Sequence, residues 1–584
     1  MLGPLASGKL GHALIGLLIL IVGLIFTMSS CSEVFDLDIN ESPNAVSPDD
    51  ASIEFLYNSA QIQFNNFYAN TWFYTSTASR MQAMTTGFFY NEAYAPTTFS
   101  GLWTIAYANA LPDINRVIEI SDEEGFTVQG GSARVMKSYI LTTLVDMFGD
   151  VPLTEAFGGA DNVNPKADGG AEVYAAALDL LNEATDVLGR EGPSVQFDNF
   201  YDGDADKWIA AANTLKIRLL NNRRLVDSGA GAAIKAIIDE GNFITDASGD
   251  FEWKYSNNRL NPDARHPFYA NSYEAIDGDY QSNYYMWLLV GEKEVDDPRT
   301  RWYFYRQDTD LSDEGGDVFD CVLTNTPSDD IPIGQFDHYT DIDPNLPFCV
   351  AADNGYFGRD HGNGGGLPPD GNVRTVYGLY PAGGSWDNNS ANETQQEGES
   401  GAKGEGISPI MLSSFVSFIR AEAALTANTG EDARALLEEG VRASISKVLS
   451  TDIPTAELTA VIGSDPITEV DILADVLIPN DSVVNAYVEN VLSLYDDSSD
   501  KLDVVMKEYY IALWGNSIEA YNLYRRTGKP NNMPPLIDPS AAATSDFPRS
   551  AFYPANFVEL NENATQRELT DQVFWDNNPA GFIR

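Results

Sequence analysis

From Ala133 to Phe148 (ARVMKSYILTTLVDMF) apolar residues recur almost all round a helical wheel, and Gly149-Asp150-Val151-Pro152 closes the run. A helix apolar on every side is a buried one, so the chain has to supply further helices to wrap it. Val173 to Leu188 is a second amphipathic stretch. A third helix is predicted from Asp204, a good N-cap, and it places Trp208, Ala212, Leu215 and Leu219 on one face. Ile410 to Leu425 and Glu431 to Val448 form a pair broken at Thr429-Gly430, with the span of a tetratricopeptide unit, roughly 34 residues. On the first helix of that pair Glu422 shares a stripe with Met411, Phe415, Phe418 and Leu425. Its carboxylate is therefore expected in the core, satisfied by Arg420 or by an arginine of another helix. A last helix is predicted over Met506 to Arg526, ending at Gly528 with Pro530 beyond. The fold class that follows is mainly α: tetratricopeptide-like helix pairs forming a body, with long loops and a few short strands.

The N-terminus carries an address. Ala13 to Thr27 is an uninterrupted apolar run of fifteen residues, followed by Met28-Ser29-Ser30-Cys31. A spanning helix needs roughly twenty residues, so the run suits a cleaved lipoprotein signal (residues 1–30) with Cys31 as the lipidated first residue. Two acyl chains on that cysteine anchor a protein stably. Residues 31–50, polar and acidic with Pro43 and Pro48, read as a tether, and 51–584 as a single domain. Lys and Arg number 35 against 86 Asp and Glu, a formal charge of −51. Such a surface repels nucleic acid and anionic headgroups. With 43% hydrophobic residues the chain is nonetheless a folded one. Cys321 and Cys349 are the remaining cysteines, and in an exported protein they can form one disulfide; two buried free thiols are the alternative.

Five runs carry a family resemblance: ARVMKSYILTTLVDMFGDVPLTEA (133–156), DADKWIAAANTLKIRLLNNRRL (204–225), ISPIMLSSFVSFIRAEAAL (407–425), EAYNLYRRTGKP (519–530) and FPRSAFYP (547–554). With the early Leu37 to Asn40 and Pro43-Asn44, they resemble the SusD/RagB outer-membrane lipoproteins. The resemblance implies a helical body whose loops form a nutrient-binding face. It also implies a partner, a SusC-like TonB-dependent transporter, and a position at the outer membrane facing outward. Trp208, Asn213, Arg218, Arg223, Tyr524, Arg525 and Arg526 lie on the helical anchors and are read as structural.

Residues 251–406 differ in texture, being rich in Gly, Asn, Asp and aromatics, and are expected to carry the ligand face. Sugars present apolar C–H faces beside hydroxyls, so a glycan site needs flat rings next to planar donors and acceptors. Three stretches fit: Tyr269 to Trp287 with Tyr273 and Tyr284; Tyr356 to Trp386 with Arg359, Asp360 and His361; and Trp72, Phe73, Tyr74 and Arg80. The glycine-rich second stretch is read as too irregular for core, its glycines letting backbone approach a ligand. A peptide would use a similar cleft. Catalysis has little support: only His266, His338 and His361 follow the signal, with neither an HExxH pair nor a GxSxG elbow. No cofactor is implied. Asp308, Asp310, Asp313 and Asp317 could hold Ca2+ but lack EF-hand spacing, so a solvated acidic loop is expected. The leading expectation is a lipoprotein that binds an oligosaccharide and hands it to a transporter. A glycan-degrading enzyme and a protein-binding helical-repeat scaffold are the alternatives.

Overall fold

Asp204 caps a helix, as its position predicts: in the computed structural model its Oδ1 accepts from the backbone N–H of Asp206 at 3.1 Å and of Lys207 at 3.2 Å. The structure describes residues 52–274, 280–307, 337–348, 355–364, 374–389, 398–462 and 477–584. Cys31, Cys321, Cys349 and the acidic loop with Asp308, Asp310, Asp313 and Asp317 lie outside them. Ile53–Arg584 forms one compact unit.

Its first half is a run of helices packed as sequence neighbours: α1 (Ile53–Ala78), α2 (Leu111–Glu124), α3 (Thr127–Phe148), α4 (Gly170–Leu188), α5 (Ala205–Arg223) and α6 (Ala230–Glu240). Nearly every residue of α3 is buried, as its all-round apolar pattern requires. Strands are few and short: β1 (Phe251–Lys254), β2 (Phe304–Tyr305), β3 (Val376–Tyr377) and β4 (Ile407–Met411). β1 pairs antiparallel with β4, and β2 with β3. The second half packs α7 (Ser413–Thr426) on α8 (Ala433–Leu449), and both on α10 (Lys501–Ala512); α9 (Asp481–Asp497) lies against α8 and α10. α11 (Ser517–Thr527) returns to α1 and joins the two halves. The fold is thus helical and tetratricopeptide-like. No helix of the described residues is long and apolar enough to cross a membrane.

Two predicted helices are corrected. Ile410 to Leu412 belong to β4 and the residue after it, because Ile407–Met411 pairs with β1 and the helix starts only at Ser413. Met506 to Arg526 is two helices separated by Leu513–Asn516, where Gly515 takes φ +98 and Asn516 caps the second. Four residues are close to one turn, so the apolar pattern keeps its phase across the break and hides it.

The helical anchors bind the halves together through buried charge. Glu422 accepts from Arg526 Nε and Nη2, each at 2.7 Å, from Asn221 Nδ2 at 3.0 Å, and pairs with Arg224 at 2.7 Å. Despite burial, which would raise it, these arginines hold its pKa down at about 2. Arg420 instead pairs with Glu431 and Glu439. A second network joins Asp146 to Trp575 Nε1 (2.9 Å), Asn522 Nδ2 (2.8 Å), Tyr174 and Arg218, which also meets Glu519.

Candidate ligand cleft

The nine side chains expected to contact ligand are core residues in this structure, none more than 5% exposed. Trp72 is packed by Phe268 and Trp514, ring centroids 4.9 and 5.6 Å away. Trp386 lies against Trp302, and Tyr273 is stacked on Tyr269 with its hydroxyl donating to Tyr377 O at 2.7 Å. Tyr284 donates to Asn532 Oδ1 at 2.9 Å. Arg80 spends its guanidinium on the Ala78, Pro534 and Arg584 carbonyls and the Tyr90 hydroxyl. His361 Nε2 lies 3.1 Å from the same hydroxyl, and burial pushes its pKa well below the usual histidine range. Arg359 sits over the Tyr280 ring, and Asp360 accepts from Asn283. Tyr356, beneath the Arg306 guanidinium, borders a cavity of about 450 Å³.

For the described parts of Tyr356 to Trp386, residues 356–364 and 374–386, the reading as too irregular for core is therefore corrected, and the glycines give the reason. A Cβ built at Gly358 would stand 2.1 Å from Gln281 O, and one at Gly378 2.5 Å from Trp302 O. These glycines let backbone approach backbone.

A cleft of about 610 Å³ opens elsewhere, between α1 and the stretch 253–270, within the size range of small-molecule sites. α1 is buried except along one stripe, where Phe73 is 49% exposed beside Asn66 and Asn70. One residue on a helix is a turn of about 100°, which separates core Trp72 from cleft-facing Phe73. The opposite wall is Trp253, Lys254 and Tyr255. Trp253 is half-buried and braced edge-to-face by Phe200 at 5.5 Å. Tyr255 lies against His266, its hydroxyl accepting from Asn65 Nδ2 at 2.9 Å and within 3.0 Å of Ser408 Oγ. Asn65 Oδ1, on the α1 wall, is buried without a hydrogen-bond partner among the described residues.

The Arg265 and Asp263 charges of the cleft are held by each other. Arg265 clasps Asp263 through Nε–Oδ1 (2.9 Å) and Nη2–Oδ2 (2.7 Å) and reaches Glu274 at 2.6 Å, which keeps it charged and holds Asp263 below its usual range. His266 Nδ1 accepts from Phe268 N (3.2 Å), so Nε2–H donates to Ile407 O (3.1 Å). Burial lowers its pKa to about 3, leaving it neutral. Burial raises the Tyr255 phenol. Among the described residues lining the cleft, Asp263 is the one carboxylate. The arrangement offers two aromatic faces, a phenol edge and amide donors and acceptors, which complement the C–H faces and hydroxyls of a sugar. Of its walls the sequence reading named Phe73 and missed Trp253, Tyr255, Asn66 and Asn70. The helical phase of α1 holds the signal for the first wall.

Two family models match the chain. Residues 43–326 match a SusD-like family described as starch-binding and associating with the outer membrane, and residues 380–573 match the SusD and RagB outer-membrane lipoproteins. No curated protein matches the chain. Among solved structures, a SusD/RagB family protein from Bacteroides thetaiotaomicron is similar at 20% identity, covering 91% of this chain and 100% of its own, with a TM-score of 0.60. A SusD homologue from Bacteroides fragilis gives 15% identity, 91% and 100% coverage, and a TM-score of 0.62. A chitin-binding protein gives 19%, 90% and 99%, and 0.58. With models of this family matched over residues 43–326 and 380–573, the chain belongs to the SusD/RagB family.

Proposed function

We propose that this protein is an outer-membrane surface lipoprotein, anchored through Cys31, that captures an oligosaccharide in the cleft between α1 and residues 253–270 and delivers it uncleaved to a SusC-like TonB-dependent transporter. One observation carries the reading: the cleft sets the exposed Phe73 ring and the half-buried Trp253 beside Asn66, Asn70 and Tyr255 in a concavity of about 610 Å³. Delivery without cleavage is supported by the chemistry of the walls. Glycoside hydrolysis uses a pair of carboxyl groups, whereas Asp263 is locked to Arg265 and His266 is neutral and hydrogen-bonded at both nitrogens. Trp72, expected to touch ligand, acts in this account from behind, packing against Phe268 beneath the wall.

Affinity electrophoresis on a panel of algal and plant polysaccharides, with chitin included for the chitin-binding relative, tests the reading. Retardation by a glycan, abolished or weakened in Phe73→Ala, is expected; sugar release at catalytic rates would contradict it. Cys31→Ala is expected to leave an unprocessed or periplasmic protein, and its persistence in carbonate-washed outer membranes would refute the anchor. Co-purification of the wild-type protein with a TonB-dependent transporter checks the partner.

A further inference from the structure

Ala69 and His266, which line the cleft, also border a far smaller cavity of about 10 Å³. That is about the room one water needs, provided the water finds two to four polar partners. The walls of the cavity are themselves buried, and they include Trp72, Ser408, Gly515 and Ser517. Trp72 is 2% exposed, and its Nε1–H is a buried donor without a hydrogen-bond partner among the described residues. Asn65 Nδ2 donates to the Tyr255 hydroxyl, whose own hydrogen has Ser408 Oγ, 3.0 Å away, as acceptor. That leaves the Ser408 hydrogen to be given elsewhere. Thr75 spends its hydrogen on Thr71 O at 2.8 Å, so Ser517 donates in its contact with Thr75 and keeps its lone pairs. Gly515 O takes the Tyr68 hydroxyl at 2.8 Å and keeps a second lone pair.

Two donors and two acceptors thus line one water-sized space. We propose that the cavity holds a single water, which accepts from Trp72 Nε1–H and Ser408 Oγ–H and donates to Ser517 Oγ and Gly515 O, and that through it Trp72 and Ser408 are positioning residues for the cleft. The water fixes the order of donation along Asn65, Tyr255 and Ser408. With its hydrogen committed to Ser408 and one lone pair to Asn65, the Tyr255 oxygen meets a ligand as an acceptor only, so the cleft selects a hydroxyl or an amide N–H at that point. An indole serves at position 72 where a phenyl ring would not, because the water needs the N–H. The water site stands on the geometry of the core, and its effect on binding rests on the glycan-binding reading of the cleft.

A crystal structure of the wild type that resolves ordered water decides the site. A peak within about 3.2 Å of both Trp72 Nε1 and Ser408 Oγ is expected, and a cavity without one would overturn the proposal. In solution the indole N–H resonance of Trp72, identified by its loss in Trp72→Phe, should cross-relax with water; its failure to do so would also count against the site. Positioning is read by calorimetric titration of the wild type and Ser408→Ala with whichever of laminarin, xylan and chitohexaose binds. Ser408→Ala strips Tyr255 of its acceptor and is expected to lose about two- to tenfold in affinity, the worth of one hydrogen bond, with its thermal midpoint kept. Unchanged affinity in Ser408→Ala, or a loss of affinity accompanied by a large fall in thermal midpoint, would overturn the positioning role and leave the cleft standing. If neither these sugars nor any polysaccharide of the wider panel binds the wild type, the cleft reading fails and the positioning role with it, while the peak beside Trp72 still decides the water.

Discussion

Residues 253–270 and the described parts of 355–389 read alike as sequence, mixing aromatics with Arg, Asp, Asn and Pro, yet one lines an open cleft and the other is core. The physical difference is glycine. The first stretch has none, and a cleft stands between it and α1. The second has glycines whose missing Cβ atoms let strands of irregular backbone touch, as at Gly358 against Gln281 and Gly378 against Trp302. Rings carried on such a segment are pulled in with it: Trp386 is fully buried and Tyr356 nearly so. A glycine-rich aromatic loop thus signals close packing as readily as ligand approach.

Substitutions can break this contrast. The largest effect is expected for Trp386→Ala, which should cost about 3–5 kcal/mol of stability as a buried tryptophan removed from its cavity, measured by urea unfolding. A wild-type midpoint for that variant would mean that the loop is not core. Acid should act next. Burial holds His266 at about 3 and His361 well below its ordinary 6.5, so the unfolded chain binds protons that the folded chain refuses. Their stabilisation is fully present above pH 6.5 and is lost on acidification toward the folded values, by up to about 1.4 kcal/mol per pH unit for each. Unfolding midpoints between pH 7.5 and 5 check this, and a flat profile would contradict the burial of both rings. Gly358→Ala should cost about 1–3 kcal/mol by forcing backbone apart, whereas a neutral result would remove glycine from the explanation. The smallest change in stability is expected for Phe73→Ala, within about 0.5 kcal/mol because the ring is half exposed.

The helical body was legible because period and caps are local: Asp204 caps where predicted, α3 is buried all round, and Glu422 lies in the core beside arginines of other helices. Which arginine satisfies Glu422 was not legible, since Arg526 is 104 residues away. The site was harder still. Its walls come from α1 and from the β1 end, brought together by tertiary packing, and choosing Phe73 over Trp72 needs the rotational phase of a helix that is mostly buried. Aromatic composition found the neighbourhood of that wall and chose the inward residue.

The central claim is that the α1 cleft, and not the glycine-rich loop, holds the glycan. Calorimetric titration of Phe73→Ala beside Trp386→Ala tests it directly, using the polysaccharide that retards the wild type. Phe73→Ala is expected to lose about tenfold or more in affinity with its thermal midpoint kept, while the folded fraction of Trp386→Ala binds as the wild type does. Unchanged affinity in Phe73→Ala together with loss of binding by a stably folded Trp386→Ala would contradict the account.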